Sequence, residues 1–142
     1  MKVLIVDDSK IVCGGLQRML INIAGVEIAG QAHNGKDAIA SISKLKPDVV
    51  ILDIRLPDLS GIEVLKDIRV KKLSTLVIIL TNYPYPQYRK KCEELGADYF
   101  FDKVTDIEEI PILIEEFAKN KHESMRNGRN IKYESIGPAC SL

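Results

Sequence analysis

Val49-Val50-Ile51-Leu52-Asp53 decides the fold: four consecutive apolar residues end on a carboxylate. A run this short and this apolar reads as a strand buried on both faces, the kind that lies inside a parallel sheet. The same shape recurs upstream at Val3-Leu4-Ile5-Val6, followed by Asp7-Asp8, and downstream at Leu76-Val77-Ile78-Ile79-Leu80, followed by Thr81. Shorter candidates at Val26 to Gly30 and Tyr99 to Phe101 bring the strands to five.

Between these runs the apolar residues change period. Val12, Leu16, Met19, Leu20 and Ile23, then Ala38, Ile39, Ile42 and Leu45, then Ile62, Leu65 and Ile68 recur at helical spacing and predict helices that each lay one stripe on a sheet. Ser60, with Glu63 three residues on, suits a helix start; Pro86 suits the first turn of a fourth helix, and Gly96 suits its left-handed stop. For the last helix, Asp106 is a candidate cap, but Pro111 would remove a hydrogen bond near the fifth position, so regular helix is expected from about Glu109. Gly14 and Gly15 fall inside the first helix, where each costs about 1 kcal/mol relative to Ala, and read as close packing or mere tolerance.

Strand and helix thus alternate five times, which predicts an α/β, doubly wound, five-stranded parallel sheet with helices on both faces and right-handed crossovers. The periodic region ends near Lys121, so the chain divides into a domain over 1–121 and a C-terminal tail over 122–142, read from its polar composition as flexible. With 142 residues, one core of ordinary size is the expectation. Lys plus Arg and Asp plus Glu balance at 20 each, so no overall basic field draws the chain to nucleic acid or an anionic membrane. Cys13, Cys92 and Cys140 are widely spaced and suggest neither a disulfide framework nor a zinc site. Strand-like residues begin at Lys2, with no room for a leader before them, and no apolar run reaches the roughly 18 residues of a membrane span. A cytoplasmic location is expected.

In open α/β sheets, sites form at the carboxyl ends of the strands, where this sequence places Asp7, Asp8, Asp53, Thr81 and Lys103. The flavodoxin-like strand order 2-1-3-4-5 would make the first and third strands neighbours and bring the three aspartates together. Carboxylates so gathered repel one another unless a cation intervenes, and Mg²⁺ suits a site of few carboxylates that is completed by water and phosphoryl oxygens. Phosphoryl transfer asks for a nucleophile, charge neutralisation and alignment. Asp53 can attack, Thr81 can hydrogen-bond one transferred oxygen, and the Lys103 ammonium can pair with another. Taken singly, each residue has a plainer role: Asp7 and Asp8 as helix caps, Thr81 as a strand former, Lys103 as a surface lysine, Phe100 as core. The weight lies in the set, one member at the end of each of four strands.

Val3 to Ser9, Val49 to Gly61, Ile78 to Asn82 and Gly96 to Lys103 together resemble the signatures of the response regulator receiver family, over residues 2 to 121. The resemblance implies Asp53 as phosphoryl acceptor and Asp7 and Asp8 as the metal-binding acidic pair. Asp53 itself and the backbone carbonyl of Arg55 would complete the protein ligands to Mg²⁺. It implies Thr81 as switch hydroxyl, Lys103 as phosphate partner and Phe100 as switch aromatic, with Pro57 and Gly61 shaping the loop after the acceptor. Two residues depart from the family: Val104 stands where Pro often follows the lysine, and Asn82 is bulkier than the usual residue after the threonine.

The resemblance further implies a sensor histidine kinase or phosphotransfer protein as donor. Thr81, drawn to the phosphoryl group, would leave space for Phe100 to turn inward. The face of the fourth helix, fifth strand and fifth helix would then change and meet an effector protein or a second copy of the chain, with no direct nucleic-acid contact and no membrane. In this reading the domain is no general enzyme, catalysing only its own phosphoryl transfer and dephosphorylation. A haloacid-dehalogenase-like phosphatase fits less well, because Arg55 stands where that family wants a second aspartate. A docking module that is never phosphorylated is opposed by the complete acidic set. A nucleotide-binding flavodoxin-like protein lacks its glycine motifs. Tyr83, Tyr85 and Tyr88 read equally as a binding surface or as a loop packed on itself, and Arg89-Lys90-Lys91 as a solvated helix face.

Overall fold

A computed structural model describes residues 1–127, with side chains through Lys121. The chain alternates from the start: β1 (Lys2–Val6), α1 (Lys10–Leu20), β2 (Glu27–Ala32), α2 (Gly35–Leu45) and β3 (Val49–Leu52). It continues through α3 (Gly61–Val70), β4 (Leu76–Thr81), α4 (Pro86–Glu94), β5 (Tyr99–Asp102) and α5 (Glu109–Asn127). The sheet is wholly parallel in the order β2-β1-β3-β4-β5, as the sequence predicts.

Alternation along each strand divides the core in two. Leu4, Val6, Val50, Leu52, Val77, Ile79 and Phe100 face the stripes of α2, α3 and α4, where Ala38, Ile42, Val64, Leu65, Ile68 and Cys92 are buried. Val3, Ile5, Val49, Ile51, Ile78, Leu80, Tyr99 and Phe101 face α1 and α5, meeting Cys13, Leu16, Leu20, Ile110, Ile114 and Phe117. Each Val, Leu, Ile or Phe among them contributes about 1.5–3 kcal/mol on burial, so the apolar runs that reveal the strands also fix the sheet between its two helical layers.

Punctuation follows the sequence closely. The Ser60 hydroxyl caps α3 by accepting from the Ile62 N–H, Pro86 opens α4, and Gly96 takes a φ of +89° just past the α4 terminus. Gly14 and Gly15 are tolerated rather than required: a Cβ at either would meet only the tip of Arg18, at 3.4 and 3.9 Å. The differences are at edges. β2 runs Glu27–Ala32 instead of ending at Gly30, because this outer strand is only partly buried and its apolar signal is weak. α5 begins at Glu109 as expected but continues past Lys121 to Asn127, since a helix can persist without an apolar stripe. The rest of the segment assigned to the tail, with Cys140, lies outside the described residues. Cys13 and Cys92 are buried and neither forms a disulfide, and no described helix is long and apolar enough to cross a membrane.

Candidate functional site

The carboxyl ends of β1, β3, β4 and β5 converge. The Asp53 N–H donates to the Val6 carbonyl at 3.0 Å, extending the β1–β3 ladder by one residue, and the Asp7 N–H donates to Ala32 at 3.1 Å. These bonds set three carboxylates side by side: Asp7, Asp8 and Asp53 each offer an oxygen within 4.8 Å of the others. Asp7 and Asp53 are buried, at 2% and 5% exposure, while Asp8 is open to solvent. Lys103 reaches in from β5, its Nζ donating to Asp7 Oδ2 at 2.6 Å and to Asp53 Oδ2 at 3.0 Å. Its own backbone N–H donates to the Thr81 carbonyl at 2.8 Å, so the lysine and the threonine are fixed to one another.

Three carboxylates against one ammonium leave an excess of negative charge in a buried corner. Burial pushes the Asp53 carboxyl above its ordinary pKa, outweighing the pull of Lys103, and the charge of Asp7 adds to the rise. Burial acts to lower Lys103, but its hydrogen bonds to Asp7 and Asp53 and their charges together hold the ammonium above its usual range. Asp53 Oδ1 is buried with no hydrogen-bond partner, a condition that costs about 1–3 kcal/mol for a buried polar group. An unpaired carboxylate oxygen beside two further carboxylates is the donor set of a hard divalent cation, so the residues fit one.

The loop after Asp53 is closed tightly. The Gly61 N–H donates to the Ile54 carbonyl at 2.6 Å, and a Cβ at Gly61 would lie 2.0 Å from the Asp53 carbonyl oxygen, so only glycine closes it. Arg55 sits within this loop, its guanidinium 4.1 Å from the Tyr83 ring centroid. Thr81 is fully buried, and its hydroxyl accepts from the Tyr83 N–H at 3.1 Å. Asn82 is exposed. The Lys103–Val104 peptide is trans, and the Val104 N–H donates to Asp102 Oδ1 at 2.8 Å.

Asp7, Asp8, Asp53 and Lys103 therefore meet directly, with Thr81 beside them. Phe100 belongs to the core that faces α2, α3 and α4. It is already buried, in the cluster that holds Val77 and Ile79, with the Arg89 guanidinium 5.4 Å from its ring centroid. The tyrosines pack on one another, with centroids 6.3 Å apart for Tyr83–Tyr85 and 5.9 Å for Tyr85–Tyr88, while Tyr85 stays exposed at 47%, so both readings of this loop stand. Two features escaped sequence reasoning. Cys13 Sγ and His33 Nδ1 both approach the Asp7 carbonyl, at 3.4 and 3.1 Å; burial and the charge of Asp7 push the thiol pKa up to about 11. Asp58 bonds across the fold to the start of α2. Neither is legible locally: His33 meets Asp7 from 26 residues away and Gly35 meets Asp58 from 23, although Cys13 is only six residues past Asp7.

A doubly wound parallel sheet with a lysine-bridged acidic cluster at the carboxyl ends of β1 and β3 defines the class: an α/β domain with an acidic, cation-competent pocket. A family model of the response regulator receiver domain matches residues 3–115, and the chain belongs to that family. It is the receiver domain of a two-component response regulator, which implies phosphorylation-dependent signalling. The chain is 30% identical over 138 residues to the response regulator GacA of Pseudomonas aeruginosa, covering 96% of this chain and 64% of that protein. It is 38% identical over 109 residues to the transcriptional regulatory protein YdfI of Bacillus subtilis, covering 77% of this chain and 51% of the relative. A solved DNA-binding response regulator of the LuxR family from Staphylococcus aureus superposes with a TM-score of 0.76 at 32% identity, over 82% of this chain and 98% of the other. The chain spans roughly half to two thirds of the length of the curated relatives it matches. Their names sit at odds with a reading that leaves nucleic acid out altogether.

Proposed function

We propose that Asp53 is the phosphoryl acceptor of this receiver domain and that the buried, unpartnered oxygen of its carboxylate, within a three-aspartate cluster, is the observation that carries the reading. A carboxylate oxygen of Asp53 forms the new bond to phosphorus while the bond to the donor breaks, and the donor's leaving group departs with the electron pair. The donor is the phosphohistidine of a sensor histidine kinase or phosphotransfer protein, or a small acyl phosphate. Asp7, Asp8, Asp53 and the Arg55 backbone carbonyl would hold Mg²⁺, which supplies charge neutralisation and alignment for the transferred group. Lys103, now shared between Asp7 and Asp53, turns its ammonium to a phosphoryl oxygen when the acceptor becomes an acyl phosphate. Thr81 donates its hydroxyl hydrogen to another.

Moving the Thr81 hydroxyl toward the phosphoryl group disturbs its bond from the Tyr83 N–H and fixes the inward placement of Phe100. The change reaches the α4–β5–α5 face, which meets an effector or a second copy of the domain. The domain over 1–121 carries this chemistry in the cytoplasm, with 122–142 as an appended segment. Direct nucleic-acid contact is not a property of the 1–121 domain in this reading, and DNA binding is a property of the Staphylococcus aureus response regulator that this chain resembles.

Intact-mass measurement after incubation with acetyl phosphate and Mg²⁺ tests the proposal. A phosphoryl adduct is expected on the native protein and is expected to vanish in Asp53→Asn and in the presence of a chelator. An adduct that survives Asp53→Asn would move the acceptor elsewhere.

A further inference from the structure

Asp58 stands five residues past Asp53, outside the carboxylate cluster, yet it makes more backbone contacts than any carboxylate within the cluster. Its Oδ1 accepts from the Gly35 N–H at 2.6 Å and from the Leu59 N–H at 2.7 Å, and its Oδ2 accepts from the Lys36 N–H at 3.0 Å. Loss of hydration acts to raise its pKa, but the N–H bonds from Gly35, Lys36 and Leu59 together hold the carboxyl below the ordinary value. The first free N–H groups of α2 thus receive a carboxylate from a different loop, where the helix dipole also favours negative charge.

The helix does not need that carboxylate for its own start. Asn34 already caps α2, its Oδ1 accepting from the Asp37 N–H at 2.8 Å. What the remote contact adds is a fixed distance between the loop and the helix. The approach is close enough that a Cβ at Gly35 would lie 2.6 Å from the Leu59 Cβ. On its inner side the same loop is closed by the Gly61 N–H to the Ile54 carbonyl. Arg55 lies between the two fastenings.

We propose that Asp58 is a positioning residue: by fastening the loop to the amino end of α2, it holds the Arg55 backbone carbonyl where the cation requires it. The inference rests on the Mg²⁺ reading given under the proposed function. Asp58 touches no phosphoryl group and no cation; it acts through Arg55, as partners outside a metal's own ligand set commonly do.

Calorimetric Mg²⁺ titration of the full chain, with amide chemical shifts of residues 53–61 recorded alongside, tests it without any phosphodonor. Asp58→Ala is expected to raise the half-saturating Mg²⁺ concentration about tenfold, the lower end of the effect of removing such supporting partners. Asp58→Asn keeps one acceptor oxygen and is expected to recover most of the loss. Asn34→Ala removes the helix's own cap and is expected to lower the melting temperature while leaving the Mg²⁺ midpoint in place. An unchanged midpoint in folded Asp58→Ala, or an equal shift in Asn34→Ala, overturns the proposal. Should Asp58→Ala not fold, Gly35→Ala pushes the loop away with the carboxylate intact and must raise the midpoint for the proposal to stand. If the native chain shows no saturable Mg²⁺ response, or Asp53→Asn keeps it, the metal reading itself fails and this inference falls with it.

Discussion

The two ends of the sheet both carry partly or fully buried carboxylates paired with a cation, and they differ in how completely the pairs are satisfied. At the amino end, Arg69 spends its guanidinium on Gly96, Leu73, Thr75 and Asp98, through bonds of 2.8 to 3.1 Å, and Asp98 also accepts from the Val77 N–H. At the carboxyl end one ammonium serves two buried carboxylates, a third stands beside them, and Asp53 keeps an oxygen with no partner. Burial raises the pKa of Asp98 and of Asp53 alike. Burial therefore does not tell the two carboxylates apart; completeness of hydrogen bonding does. A filled network resists change, whereas an under-filled one is stabilised by whatever charge arrives.

The largest expected effect falls on the filled end. Arg69→Ala would strip carbonyls at three positions and leave Asp98 without its cation, and should destabilise the fold by about 3 kcal/mol, the low end for a broken buried pair because Arg69 is partly exposed. Chemical denaturation of the variant measures it, and a loss under 1 kcal/mol would dissolve the contrast. The under-filled end should respond in the opposite direction. In Mg²⁺-free buffer, Asp53→Asn removes one charge from the crowded cluster and should stabilise the fold by about 1 kcal/mol, the usual exchange of function for stability.

The same contrast shows what the sequence carried. Asp7, Asp8, Asp53, Thr81 and Lys103 were legible because each stands within two residues of the end of an apolar run, and the strand order alone brings such ends together. The strands were legible for the same reason, β2 least so because Glu27 and Gln31 are exposed and dilute its apolar signal. Arg69 was not legible. Its partners come from the α3–β4 turn and from Gly96 and Asp98, nearly thirty residues on, and nothing near it in sequence announces them. Asp58 was hidden likewise, since its partners Gly35 and Lys36 belong to another helix. Local pattern reveals elements and their ends; a side chain that fastens one loop to another is seen only when both loops are in place.

A pH series sharpens the difference at Asp53. Because its folded-state pKa is raised, the folded protein binds a proton more readily than the unfolded chain. That contribution is fully present below the ordinary value of 3.8 and is lost as pH rises through the raised folded value. Stability of the Mg²⁺-free native protein should fall across this window relative to Asp53→Asn, which has no such group to titrate. Parallel stability curves for the two proteins would show that the carboxylate is not strained by its surroundings.

The smallest effect concerns a pair that resembles the others only on paper. Lys121 on α5 donates to Asp48 Oδ1 just before β3, but each side chain is more than a third exposed. Burial acts to raise the Asp48 pKa, and the Lys121 bond with the Lys2 N–H, which donates to Oδ2 at 2.7 Å, outweighs it and lowers the value. Its stabilising contribution is thus present above the ordinary 3.8 and lost as pH falls through the lowered folded value. In Lys121→Ala the Lys2 N–H remains, and solvent screens what the ammonium supplied, so denaturation at neutral pH should show a loss below about 0.5 kcal/mol. A loss approaching that of Arg69→Ala would mean that ionic pairing, rather than the filling of buried hydrogen-bond positions, governs the amino end of the sheet. The contrast with the acidic cluster would then rest on charge count alone.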